Sequence, residues 1–293
     1  MYNSIKEIVT AANETGKTIA ELTIEQECQL SGKSRDEIWQ RMTVNLQTMQ
    51  AAVQRGESGK GVFSQTHLTG GEAVKIKNYR ASHHPLSGDV MMAAVQGAIA
   101  TNEVNAAMGV VCATPTAGSS GTLPGILFML KERLSLTKKQ MINFLFTAGG
   151  VGLVIANHAG IAGATGGCQA EVGSASAMGA AAAVEAANGT PEQSAQAMSI
   201  AISNLLGLVC DPIAGLVEIP CVKRNAIGAG NALIAADMAL AGCTSKIPTD
   251  ECIMAMDKVG RGLPASLRET GIGGLAGTPT GQAIKARIFG NEV

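Results

Sequence analysis

Apolar residues recur along most of this chain at steps of three and four, the period of a helix with one buried face. Ile38, Met42, Leu46, Met49 and Val53 form the clearest stripe. Ser34-Arg35-Asp36-Glu37 introduces it as a capping box, and Gly56 is its expected stop. Thr137-Lys138-Lys139-Gln140 has the same form and opens an apolar helix through Ala156, ended by Asn157-His158-Ala159-Gly160. Thr190-Pro191-Glu192-Gln193 starts another, with proline at its first position. Residues 89–108, 124–130 and 249–259 read as further helices. Ahead of these, Ile5, Ile8, Val9 and Ala12 share one face up to Gly16, and Thr23-Ile24-Glu25-Gln26 is expected to start a second short helix ending near Gly32. Residues 57–88 read as irregular, with glycines at 59, 61, 70 and 71. No segment alternates like a strand, and the β-branched run 209–222 is broken by proline and glycine. The pattern predicts an all-α fold: one domain over 1–293, with a helical arm at 1–33 and a helical core at 34–293.

Composition sharpens this. Only 3% of residues are aromatic, while 36 glycines and long alanine runs point to helices packed closely through small residues. Charged residues make up 15% and the net charge is −1, with no basic block, so nucleic acid is not an expected partner. The apolar run 141–156 is too short for a membrane span and reads as a buried core helix. Seven cysteines and no visible secretion signal point to free thiols in a reducing cytoplasm rather than a disulfide framework.

Three of those thiols sit where helical patterns give way to glycine and proline. Cys168 lies in Gly166-Gly167-Cys168-Gln169-Ala170-Glu171, Cys210 in Val209-Cys210-Asp211-Pro212, and Cys221 in Ile219-Pro220-Cys221-Val222-Lys223-Arg224-Asn225. Soft thiolates suit an iron–sulfur cluster, zinc or monovalent copper. The spacings of 42 and 11 residues form no metal motif, and buried free cysteine is the ordinary alternative. Thr114-Pro115-Thr116-Ala117-Gly118-Ser119-Ser120-Gly121 feeds a helix start, so it is either an anion seat or a plain connection. Asn102 and Asn105 stand near the end of the helix before it. Lys75 and Arg224 are either carboxylate partners or surface charges, and Glu171 either meets an ammonium group or bonds to backbone. His158 reads as a satisfied buried histidine, with a proton carrier as the alternative. His67, His83 and His84 read as exposed loop residues.

The run 101–121, the run 166–175 around Cys168 and the run 209–226 containing Cys210 and Cys221 resemble the α chain of iron–sulfur-dependent L-serine dehydratases, in the same order. The likeness extends from about residue 24 to 281 and includes Leu68-Thr69-Gly70-Gly71-Glu72-Ala73-Val74-Lys75 and the tail motifs Arg268-Glu269-Thr270 and Gly273-Gly274-Leu275-Ala276. The resemblance implies an all-α catalytic portion and a [4Fe–4S] cluster on Cys168, Cys210 and Cys221. It implies L-serine as substrate, and β-elimination to pyruvate and ammonia. It favours a substrate role for Thr114, Thr116, Gly118 and Ser119, with Asn102, Asn105, Lys75 and Arg224 as further substrate candidates.

Single-chain members carry a preceding domain with a Ser-Ser-Ser-His-Thr-like motif, whose histidine is the favoured base. That motif does not occur here, nor does a terminal cysteine. The expectation is therefore an α subunit completed by a separate β chain that brings the base. A pyridoxal-phosphate serine dehydratase would need a Schiff-base lysine motif on an α/β sheet, and neither is visible. A cluster-dependent cysteine desulfidase and a helical interaction subunit remain as rivals.

Overall fold

Residues 2–290 are described in a computed structural model of the chain. Among them the secondary structure is helical throughout, with thirteen α-helices and no strand; two segments meet in an isolated parallel bridge, Cys210 with Arg268.

The first two helices, α1 (Ile5–Thr15) and α2 (Ile19–Ser31), lay Ile5, Ile8, Ile19, Leu22 and Ile24 into the main apolar core. Helix α2 begins at Ile19 rather than at Thr23. Thr18 caps it, Glu185 accepts from the N–H groups of Ile19 and Ala20, and Thr23 instead bonds back to the Ile19 carbonyl. The long α3 (Arg35–Ser58) has the expected capping box of Ser34 and Glu37. It passes through Gly56, where an added Cβ would stand 2.3 Å from the Ala100 carbonyl, and stops at Gly59.

Residues 57–88 are not wholly irregular. They contain α4 (Glu72–Ser82), whose first N–H groups are accepted by the buried carboxylate of Glu103 on α5 (Asp89–Ala106). Then come α6 (Thr122–Leu134), α7 (Lys138–Ala159), the single turn α8 (Gly163–Gly166) and a π-helical turn over Gln169–Gly173. That turn runs into α9 (Ser174–Ala186), and α10 (Pro191–Leu205), α11 (Cys221–Leu240), α12 (Thr249–Gly262) and α13 (Pro279–Phe289) follow.

Helix α9 is the axis of the core. Every residue from Ser174 to Val184 is buried, all of them small apart from Met178 and Val184, so α6, α7, α10 and α11 pack around it. At Gly179 an added Cβ would lie 2.4 Å from Ile126 Cδ1, which fixes how near α6 can come. Helix α7 is longer than the 141–156 run and apolar enough to cross a membrane by length and composition. Two thirds of its most apolar stretch is buried inside the fold (67%), with Phe144 and Ile142 in the core, as a core helix requires. His158 near its end is exposed rather than buried, with Nε2 2.6 Å from the Asn3 carbonyl.

Candidate metal and substrate site

Cys168, Cys210 and Cys221 come from three different connections. The turn before Cys168 needs Gly167, whose φ is 76° and where a Cβ would stand 2.6 Å from Leu263 and 2.9 Å from the Leu208 carbonyl. Gln169 ties that turn to the next cysteine: its N–H donates to Leu208, its Oε1 accepts from Gly207, and its Nε2 donates to Met256. Cys210 is gripped by the tail. Its N–H donates 2.9 Å to Leu267, and its carbonyl accepts 2.7 Å from the N–H of Glu269. Between Cys210 and Cys221 the chain turns through Ala214 at φ 58°, a left-handed alanine that costs roughly 1–3 kcal/mol. Cys221 then begins α11.

All three thiols are buried, and they sense one another. Burial is the main reason each sits above the ordinary thiol range, with Cys168 pushed up to about 12. Cys168 and Cys221 both push Cys210 further up, and Cys168 does the same to Cys221. Cys221 stands at the N-terminus of α11, a position that favours thiolate, yet burial dominates there. Arg224 pulls the other way on Cys168 and Cys221. The structure thus gathers thiols that resist ionisation unless a cation meets them.

The 114–121 turn lies against this group through Glu171. Thr116 Oγ1 donates 2.7 Å to Glu171 Oε1, and Ser119 Oγ donates 3.0 Å to the Thr114 carbonyl. Burial raises the Glu171 carboxyl, with Glu269 adding to the rise and the Thr116 hydroxyl opposing it. Glu171, Cys210 and Glu269 each offer a ligand atom within 4.8 Å of the others. The sequence reading gave Glu269 no role; the bridge of the tail to Cys210 is what delivers it.

The anion seat differs from expectation in one respect. The N–H groups of Gly121 and Thr122 at the start of α6 are filled by Asn225 Oδ1 at 3.0 and 3.1 Å. Asn225 Nδ2 donates to the carbonyls of Gly118 and Cys221, so one side chain locks the turn to the Cys221 helix. The N–H groups of Ala117, Gly118 and Ser119 have no acceptor among the described residues and form the open part of the turn.

The other sequence candidates separate. Asn102 is fully buried with neither amide atom partnered, close beneath Gly121. Asn105 Nδ2 donates 3.3 Å to the Ala117 carbonyl. Thr114 Oγ1 is buried and unpartnered. Arg224 is engaged: Nη1 donates 2.7 Å to the Val209 carbonyl and stands 2.8 Å from Asp211 Oδ1, an ion contact without hydrogen-bond alignment. Lys75 is exposed on α4, with no hydrogen bond or ion pair to the site among the described residues. A separate cleft of about 470 Å³ is lined by Glu57, Arg80, Asp89 and Arg133, but Arg80 is already bonded to Asp89 and Gln96, and Gln96 to Glu57. Converging thiols, not cavity size, mark the chemistry.

Comparison with known proteins supplies a family for the chain. The family described as serine dehydratase alpha chain matches residues 14–276. The chain is 60% identical to a probable L-serine dehydratase, alpha chain, of Bacillus subtilis (strain 168), covering 100% of this chain and 97% of the relative. It is 45% identical to the L-serine dehydratase, alpha chain, of Peptoniphilus asaccharolyticus, covering 97% of each. Against L-serine dehydratase 1 of Escherichia coli (strain K12) identity is 36%, over 94% of this chain and 61% of that longer protein.

Proposed function

The chain belongs to the serine dehydratase α-chain family, and from that premise we propose that it is the α subunit of an L-serine ammonia-lyase. With a separate β chain it removes water from L-serine by β-elimination, and water then hydrolyses the resulting imine to pyruvate and ammonia. One observation carries the reading to particular residues: Cys168, Cys210 and Cys221, from three separate connections, are buried within electrostatic reach of one another.

That donor set fits a cluster. Three soft thiols in one buried place are costly as bare thiolates, and a soft metal centre offsets the cost. We assign Cys168, Cys210 and Cys221 to hold a [4Fe–4S] cluster, which when bound supplies a Lewis-acidic iron for the departing hydroxyl group. The chain's own residues fix the substrate. The open N–H groups of Ala117, Gly118 and Ser119 receive its carboxylate. Asn225 holds that turn at a set distance from Cys221. Arg224 clamps the Val209–Asp211 segment, so we read it as positioning Cys210 rather than as a substrate ligand. The group that takes the Cα proton belongs to the β chain.

Anaerobic purification tests the reading. The expected content is about four irons and four sulfides per chain, with serine-dependent pyruvate formed once the β chain is added. Cys168→Ser should lose the iron and the activity together; an iron-replete, fully active variant overturns the ligand assignment. Bound pyridoxal phosphate, or sulfide release from cysteine without serine turnover, overturns the reaction.

A further inference from the structure

Glu171 and the half-buried Glu269 are gathered with the Cys210 thiol and are poorly partnered. Neither makes an ion pair among the described residues, and the nearby guanidinium of Arg224 is turned to Asp211 and Val209. Glu171 Oε1 accepts from Thr116, while its Oε2 and both oxygens of Glu269 accept no hydrogen bond among the described residues. Two carboxylates whose oxygens lie within 4.8 Å of each other and of the Cys210 thiol repel, and a cation set among them relieves that repulsion.

The surroundings are shaped to keep that space free. An added Cβ at Gly163 would meet Glu171 Oε2 at 2.7 Å and Cys210 Sγ at 2.9 Å. At Gly118 it would meet Glu171 Oε1 at 3.0 Å. Glycines therefore flank the carboxylate on two sides. Glu269 is held in a left-handed conformation, φ 61°, with its N–H bonded to the Cys210 carbonyl. The Thr114 hydroxyl, two residues from Thr116 in the same turn, is buried without a partner.

We propose that Glu171 and Glu269 seat the α-ammonium group of the amino-acid substrate, an inference that rests on the serine reading above. A primary ammonium carries three N–H donors. The two carboxylates supply two acceptors, and the Thr116 oxygen, having given its own proton to Glu171, supplies a third. Their position suits an amino acid. Its ammonium and carboxylate share one carbon, so their seats must adjoin, and Gly118 brings the open N–H turn against Glu171. The hard carboxylate oxygens match N–H donors, whereas the soft thiols match iron. Glu171 and Glu269 are thus specificity residues that select an amino acid over the corresponding hydroxy acid.

The test uses the complete α–β complex and two ligands, L-serine and L-glycerate, which keeps the carboxylate and hydroxyl but has no ammonium. Glu171→Gln and Glu269→Gln should each raise the KM for serine by about tenfold to a hundredfold, the usual weight of a charge-assisted bond. The inhibition constant of glycerate should stay within about threefold, and iron and sulfide per chain should not change. Equal weakening of serine and glycerate in both variants overturns the proposal. So does loss of iron, which would make the carboxylates metal ligands. If Glu171→Gln does not fold, Glu269→Gln decides alone: retained preference for serine over glycerate overturns the proposal. Wild-type complex that forms no pyruvate from serine instead overturns the substrate reading itself.

Discussion

Helix α9 and the segments around Cys210 are both buried, yet they are built by opposite rules. In α9 the buried run Ser174–Val184 is nearly all alanine, glycine and serine, its backbone bonded within the helix and its neighbours set at the distance small side chains permit. Around Cys210 the chain is short turns, a left-handed Ala214, a left-handed Glu269 and a tail crossing over. Buried polar atoms without hydrogen-bond partners stand there on Asp211 and Arg268, and on Thr114 and Ser120 of the adjoining turn, against one in the α9 run, Ser174. Such groups are rare in folded proteins and each costs roughly 1–3 kcal/mol. The core region can carry that cost because it is regular; the site region spends it on holding donors ready for something else.

The contrast can be broken from the core side first. Phe144 is 2% exposed at the centre of the helical core. Phe144→Ala should lower stability by about 3–5 kcal/mol, read as a drop in the urea midpoint. Iron per folded chain and the KM for serine should not move; a changed KM would show that core and site are not separable. Asn225 lies on the border, and Asn225→Ala probes both regions at once. It strips acceptors from Gly121 and Thr122 and donors from Gly118 and Cys221. We expect about 1–3 kcal/mol of lost stability and a roughly hundredfold fall in kcat/KM, because the turn is no longer fixed to the Cys221 helix. Activity unchanged per folded molecule would detach the turn from catalysis.

The smallest effect concerns a charge inside the regular region. Burial raises the Glu185 carboxyl, against the bonds from Thr147, Ile19 and Ala20. A raised acid keeps its proton in the folded state after the unfolded chain has lost it. Its contribution therefore favours folding below the ordinary carboxylate value of 4.5 and declines as pH rises through the folded value. Urea midpoints of wild type and Glu185→Gln, followed from pH 4 to 8, should differ in slope across that window. Parallel curves would show that Glu185 titrates alike in both states.

Much of the helical frame was legible because its signals are local. Ser34 with Glu37, Thr137 with Gln140 and Thr190 with Gln193 each complete a capping box within four residues. Where a cap comes from afar the reading failed: α4 takes its cap from Glu103, 31 residues on, whereas at α2 the local Thr18–Glu21 signal was passed over for Thr23. Resemblance pointed to Cys168, Cys210 and Cys221, since intervals of 42 and 11 residues carry no signal of their own. Glu269 was quoted in a tail motif without a role, because only a backbone bridge to a residue 59 positions earlier brings it to Cys210.

That bridge has a bearing on biosynthesis. The wall behind Cys210 is made from Leu267 and Glu269, long after the ribosome has produced the cysteine itself. A nascent chain can assemble its helices around α9 early, but the pocket stays unfinished until translation has passed residue 269. On the proposed assignment, iron can therefore be captured only after residue 269 has been added.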